Sequence, residues 1–234
     1  MSATEHRPLV KICGVSRPEH AVVAAEAGAD FIGVVFYPPS IRNVSIDAAR
    51  AVAAAAHAAS NGNMQVVGLF VNAPVEHMNA VADSVGLDLI QLSGDELPET
   101  VVGLNRPAIK SIRIDSAGRG DEERLFRAWT TAAPRLYAVL LDAHSPGMYG
   151  GTGTVADWFV AADFARRFPT VLAGGLTPEN VARAIQLVRP AAVDVSSGVE
   201  TEKQKDPDKI RAFIHAAKAV QPGVQLAAGR HGGF

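Results

Sequence analysis

Apolar runs of strand length recur along the whole chain, and each is followed by a segment with helical periodicity. The runs are LVKIC (9–13), FIGVVF (31–36), QVVGLFV (65–71), LDLIQL (87–92), AIKSIRI (108–114), LYAVLLD (136–142), TVLAGG (170–175) and AVDVSSG (192–198). Between them lie helix candidates such as RPEHAVVAAEAG, SIDAARAVAAAAHAA, PVEHMNAVADSVG and TPENVARAIQLV. Capping signals mark several starts: Ser16 with Pro18 and Glu19, Ser45 with Asp47, and Thr177 with Pro178 and Glu179. The strand runs are rich in Val, Ile and Leu and alternate only weakly, which suits a parallel sheet covered on both faces. Eight such units predict an α/β fold, a single closed (β/α)8 barrel with eight parallel strands. An open doubly wound sheet is the alternative, but its G-x-G-x-x-G fingerprint is missing after the first strand, where the chain reads CGVSRP. No linker or low-complexity tract divides the chain, so residues 1–220 are expected to form one domain. The Gly-rich stretch 221–234 is expected to be a flexible C-terminal tail.

Composition narrows the classes of function. The chain has 234 residues, 48% of them hydrophobic, and a formal net charge of −2 with basic and acidic residues interspersed. That balance offers no basic patch for nucleic acid and no acidic tail. The one cysteine, Cys13, cannot form an internal disulfide, so a reducing cytoplasm is expected. MSATEHRPLV lacks the basic and apolar regions of a secretion signal. The softest run, AARAVAAAAHAAS, is too short and too polar to span a bilayer. The expectation is a cytoplasmic protein without nucleic-acid or membrane partners.

In a (β/α)8 barrel, chemistry sits at the C-terminal ends of the strands. Cys13 ends the first strand run, Asp142 the sixth, Gly174-Gly175 the seventh and Ser196-Ser197-Gly198 the eighth, while Arg42 follows the second. Strand parity puts Leu9, Lys11 and Cys13 on one face and the apolar Val10 and Ile12 on the other, so Cys13 should point into the barrel. By the same rule Ala138, Leu140 and Asp142 point inward. A lone cysteine is also often a small buried hydrophobe, and an aspartate at a strand end can simply tie a loop. The glycines after the seventh run and the small residues after the eighth let backbone N–H groups approach an anion, the usual phosphate site of such barrels. Plain turn glycines are the alternative. SPGMYGGTGTVADW (145–158), with Gly150, Gly151, Thr152 and Gly153, resembles a lid loop beside Asp142. Lys11 and Asp194, charges on otherwise apolar neighbouring strands, are expected to pair inside the barrel below the site.

These motifs, KICGV, FYPPSIR, GLFVN, IQLSGDE, LLDA…GGTG…DW, LAGGLTPENV and VDVSSGVE, together resemble the phosphoribosylanthranilate isomerase family of tryptophan biosynthesis, in order from about residue 9 to residue 200. The resemblance implies an Amadori rearrangement of N-(5-phosphoribosyl)anthranilate to 1-(o-carboxyphenylamino)-1-deoxyribulose 5-phosphate, without metal or cofactor. It implies Asp142 as general acid, Cys13 as general base and Arg42 as the clamp on the anthranilate carboxylate. Gly174, Gly175, Ser196, Ser197 and Gly198 would hold the phosphate, and Asp194 would touch sugar hydroxyls. The family reads QLHG where this chain reads QLSG, so Ser93 offers a shorter, uncharged side chain to the substrate. A small-molecule substrate is implied, in a monomer or homodimer. Three other readings stay open: a Schiff-base aldolase using Lys110, a metal-dependent epimerase, and a binding-only barrel that keeps the phosphate loops.

Overall fold

The computed structural model describes residues 7–114, 121–132, 136–142 and 155–220. Its order is β1 (Leu9–Cys13), α1 (Pro18–Glu26), β2 (Phe31–Phe36), α2 (Ile46–Ala59), β3 (Gln65–Phe70), α3 (Val75–Val85), β4 (Leu89–Leu92), β5 (Ala108–Arg113), α4 (Asp121–Ala132), β6 (Leu136–Asp142), α5 (Val155–Ala165), β7 (Thr170–Ala173), α6 (Val181–Val188), β8 (Ala192–Val195) and α7 (Pro207–Lys218). Strands β1 to β8 pair in sequence order, all parallel, and β8 closes on β1. This is the expected (β/α)8 barrel.

Two departures from the periodic pattern have local causes. The fourth unit carries only a 3₁₀ turn, Pro98–Gly103, in place of a full helix; its run PETVVG is too short to build a helical stripe. Between β8 and α7 the chain adds a two-stranded antiparallel ribbon, β9 (Glu200–Thr201) and β10 (Gln204–Lys205).

The expected caps fare unevenly. Ser45 caps α2, its hydroxyl accepting the Ala48 N–H at 3.2 Å. At α1 the N-cap is Arg17, which offers no side-chain cap; Ser16 is not used, and Pro18 fixes the start of the helix instead. Thr177 begins a turn rather than a helix: its carbonyl accepts the N–H groups of Asn180 and Val181, and α6 starts at Val181. Asp206 is a strong cap that the pattern did not reveal, accepting the N–H groups of Asp208 and Lys209 ahead of α7.

The parity argument holds in the fold. Phe31, Val67, Leu89, Ile109, Ala138, Leu140, Val171, Ala173 and Ala192 pack together inside the barrel, with Leu9 against them. Val10, Ile12, Val139 and Leu141 join the larger layer between sheet and helices. Full burial of such aliphatic side chains is worth about 1.5–3 kcal/mol each, so turning a strand over would cost far more than any loop could restore. Asp194 and Lys11 are Cα partners across β8 and β1, and their charged atoms meet at 2.9 Å inside the barrel. The expected internal ion pair is present. Among the described residues no helix is long and apolar enough to cross a membrane.

Candidate active site

Cys13 is the last residue of β1 and is 5% exposed. Its register partner on β2 is Gly33, and this glycine is there for space. A Cβ on Gly33 would lie 2.9 Å from Cys13 Sγ and 3.1 Å from Lys11 Nζ. The missing side chain therefore lets the Lys11 ammonium rise along the inner wall until it sits beside the thiol. Burial pushes the Cys13 thiol above its ordinary value; the Lys11 ammonium pulls it back, Asp194 adds to the rise, and burial wins. For Lys11, burial acts downward, but Asp194 and the cysteine outweigh it and the ammonium is held charged. A buried ion pair seldom repays its own desolvation, so this one is better understood as a fixed charge beneath the thiol than as a source of stability.

Asp142 ends β6, half-buried, with Ala173 of β7 as its Cα partner. Two strands, β7 and β8, separate it from β1 on that side of the barrel. Its parity with the inward Ala138 and Leu140 aims the carboxyl at the same mouth as Cys13.

The loops after β7 and β8 are built against each other. Gly174 and Gly175 have φ of +89° and +64°, a turn that side-chain-bearing residues rarely adopt. Asn180 fixes it by donating to the Gly175 carbonyl at 2.9 Å and accepting the Thr177 N–H at 2.8 Å. Gly198 is required for a different reason: a Cβ there would collide with the Leu176 carbonyl oxygen. Ser196 precedes the short 3₁₀ turn Ser197–Val199. Gly174, Gly175, Ser196, Ser197 and Gly198 are thus gathered on two touching loops at the barrel mouth.

Arg42 approaches from the loop after β2. Its Cδ would be 2.5 Å from a Cβ on Gly14, the residue after Cys13, whose φ is +74°. The guanidinium is bidentate to Glu200, Nε to Oε1 at 2.7 Å and Nη2 to Oε2 at 2.6 Å. Glu200 also accepts from Lys205 at 2.5 Å, and Lys205 donates to the Ser196 carbonyl at 3.0 Å. Burial acts to raise the Glu200 carboxyl, but the hydrogen bonds from Arg42 and Lys205 more than offset it and hold it below the usual range. For Lys205 burial wins, and the ammonium lies below its ordinary value despite Glu200.

On β4 the Gln91 amide donates to Ser93 Oγ at 3.1 Å, and Gln91 Oε1 is buried with no hydrogen-bond partner among the described residues. Gln91 lies two residues beyond the inward Leu89, so this unused acceptor faces the barrel interior. Lys110 does not. It follows the inward Ile109, sits over the Trp129 ring of α4 and donates to the Gly94 carbonyl and to Glu96 at 2.6 and 2.7 Å. A Schiff base on a substrate in the barrel is out of its reach. The proposed lid residues Gly150, Gly151, Thr152 and Gly153 lie outside the described residues.

The structure thus brings Cys13, Arg42, Asp194 and the β7 and β8 loops to one mouth, with Asp142 and Ser93 on its rim. Sequence reasoning missed Glu200, Lys205 and Gln91. Only the run VETEKQKD, an acid and a base five residues apart beside the phosphate loop, could have pointed to the first two.

Comparison with known proteins agrees with this fold. A sequence model of the family described as N-(5'phosphoribosyl)anthranilate (PRA) isomerase matches residues 10–216. An N-(5'-phosphoribosyl)anthranilate isomerase from Roseiflexus castenholzii is 48% identical over 215 residues, covering 91% of this chain and 99% of its own. The phosphoribosyl anthranilate isomerase crystal structure from Thermotoga maritima is similar at a TM-score of 0.79 and 38% identity, over 90% of this chain and 98% of that one. A further structure of the isomerase, in complex with reduced 1-(o-carboxyphenylamino)-1-deoxyribulose 5-phosphate, is similar at a TM-score of 0.75 and 37% identity, with the same coverage.

Proposed function

The chain belongs to the N-(5'-phosphoribosyl)anthranilate isomerase family of tryptophan biosynthesis, and on that premise we propose how its barrel mouth carries out the reaction. The substrate is N-(5-phosphoribosyl)anthranilate and the reaction an Amadori rearrangement. Asp142 is the general acid: it protonates the ribose ring oxygen, and the C1′–O bond breaks to leave an open-chain iminium. Cys13 is the general base: its thiolate takes the proton from C2′, and the electrons of that C–H bond neutralise the iminium nitrogen. The enolamine then gains a proton at C1′ as its 2′-hydroxyl gives one up, which yields the ketone and restores both groups.

The electrostatics of the mouth support that order of events. In the free protein burial holds the Cys13 thiol protonated at neutral pH. Ring opening creates a cation on the nitrogen next to C1′, and a nearby cation favours the thiolate. The thiolate, formed by loss of the thiol proton to solvent, is therefore favoured at the step that needs it, with the Lys11 ammonium already beside it. Arg42 binds the anthranilate carboxylate as a guanidinium fork. The β7 and β8 loops take the phosphate through backbone N–H groups, and Asp194 and Ser93 receive sugar hydroxyls. Cys13 is a free thiol, which suits the cytoplasm in which we place the enzyme.

The observation that carries this reading is the convergence of Cys13, Asp142 and two mutually locked glycine loops on one end of a closed barrel. It is tested by following the loss of phosphoribosylanthranilate fluorescence, with EDTA present, for wild type, Cys13→Ala and Asp142→Asn. Turnover by the wild type that collapses in both folded variants is expected. Near-normal kcat in either variant removes that residue from its role.

A further inference from the structure

The half-buried Arg42 continues into a buried pair of charges, Glu200 and Lys205, that the reaction chemistry does not account for. Glu200 and Lys205 have side chains only 7% and 2% exposed. They are Cα partners across the β9–β10 ribbon, so the hairpin exists where a carboxylate and an ammonium must be held side by side. Its two turn residues, Glu202 and Lys203, have φ of +51° and +63°. That is the left-handed region where hairpin turns ordinarily use Gly or Asn. The ribbon is fastened in place all the same: Thr201 Oγ1 donates to Asp206 at 2.6 Å, the Asp206 N–H to the Val199 carbonyl, and Lys209 to the Glu200 carbonyl at 2.8 Å. A strained, well-anchored hairpin that buries two opposite charges points to a demand from the neighbouring site.

That neighbour is Arg42. Glu200 takes the edge formed by Nε and Nη2, which leaves Nη1 and the outer Nη2 hydrogen for another acceptor. On its other flank the Arg42 stem lies over Gly14, directly after Cys13. The guanidinium is therefore held from both sides with, among the described residues, one donor edge unspent. One carboxylate between two cations leaves the cluster net positive. Lys205 then joins the cluster to the Ser196 carbonyl in the phosphate loop.

We infer that Glu200 is a positioning residue that sets the Arg42 guanidinium for the substrate's aryl carboxylate, and that Lys205 ties this setting to the phosphate loop so that both ends of the substrate are gripped by one rigid strap. The inference rests on the reading of Arg42 as the carboxylate clamp.

The test is calorimetric binding of two ligands: reduced 1-(o-carboxyphenylamino)-1-deoxyribulose 5-phosphate and its phenylamino counterpart, which lacks the ring carboxylate. Glu200→Gln keeps the shape but loses the charge. It should weaken the carboxylated ligand by about 10- to 100-fold and leave the other within about twofold, the loss expected for a charge-assisted bond out of alignment. In turnover the same variant should raise KM while kcat stays within about threefold. Glu200→Asp, which keeps the charge, should fall between wild type and Glu200→Gln, and it carries the test should Glu200→Gln not fold. Equal weakening of both ligands, or a fall in kcat at unchanged KM, would mean that Glu200 only holds the loop together. Tighter binding of the carboxylated ligand would make Glu200 a competitor for Arg42 and overturn the inference outright. Arg42→Gln is the control: if it weakens both ligands equally, the clamp reading itself is wrong; if it weakens mainly the carboxylated ligand and Glu200→Gln does not, only the positioning role is.

Discussion

The two ends of this barrel are made from the same eight strands but obey different rules. At the mouth, the inner wall carries Cys13 and the Lys11–Asp194 pair, the rim carries Asp142, Arg42, Glu200 and Lys205, and glycines at 14, 33 and 198 open space for other groups. At the foot, the inner wall is apolar and loosely filled. Leu9, Phe31, Tyr137, Ala138, Val171 and Ala192 line a cavity of ≈ 330 Å³, with Tyr137 half in solvent and edge-on to Phe31. Lys11 separates the two ends: its stem lines the foot cavity and its ammonium belongs to the mouth. Two buried ion pairs, Lys11–Asp194 and Glu200–Lys205, lie where they can act on a ligand. The foot cavity lies at the end where a packing defect leaves the chemistry untouched.

That division predicts that substitutions at the two ends separate into losses of turnover and losses of stability. The largest effects belong to the mouth. Asp142→Asn and Cys13→Ala should each lower kcat by about 10³-fold, within the usual contribution of about 10²–10⁴ from one positioned acid or base. Thermal unfolding should place both variants within a few degrees of wild type. Lys11→Met tests the boundary. It strands the Asp194 carboxylate in the barrel, at a cost of about 3–5 kcal/mol in denaturant unfolding. Lys11→Met with Asp194→Leu should recover much of that stability and none of the activity; recovery of both would show the pair to be structural only.

Cys13 gives a sharper probe of the same boundary. Alkylation of the free enzyme should increase with pH along a curve centred above about 8.5, the ordinary thiol value, because burial disfavours the thiolate. In Lys11→Met the curve should move higher still, since the charge that favoured the thiolate is gone. An unmoved curve would place the ammonium too far from the thiol to matter.

The foot should respond in stability alone. Asp30 accepts the Val10 N–H at 2.7 Å and the Lys218 ammonium at 2.5 Å, stitching β1 to α7. Asp30→Asn should cost about 1–2 kcal/mol of stability with kcat unchanged. Smaller again, Ala192→Val should fill part of the cavity and raise Tm by about 2–4 °C without touching turnover. On the barrel flank, Glu123 is held at about 2 by hydrogen bonds from Arg167 and Arg127. A carboxyl lowered in this way stabilises above its unfolded value and loses that contribution as pH falls from about 4.3 through 2. The loss in Glu123→Gln should therefore be small at neutral pH and vanish near pH 2, because the group is partly exposed and screened.

Much of this was legible in the chain alone, because the relevant physics is periodic and local. A period of two assigned Cys13 and Asp142 to the barrel interior, and eight buried β-branched runs implied a closed parallel barrel. The Lys11–Asp194 pair followed from two charges on adjacent apolar strands. What the chain did not reveal depends on distance in space. Arg42 and Glu200 are 158 residues apart, and no spacing rule joins them. Their hairpin was hidden because its turn uses Glu202 and Lys203 instead of the Gly or Asn that would have announced it. The Thr177 signal was real, but it serves a turn, since Asn180 folds back on Gly175 and delays α6. Lys110 reads like an inward lysine until register with Ile109 turns it toward Trp129. Local sequence thus determined the elements and which face each residue would take. Only tertiary closure decided which charges would meet, because the partners of a buried ion are chosen by the low-dielectric space they share and not by their order along the chain.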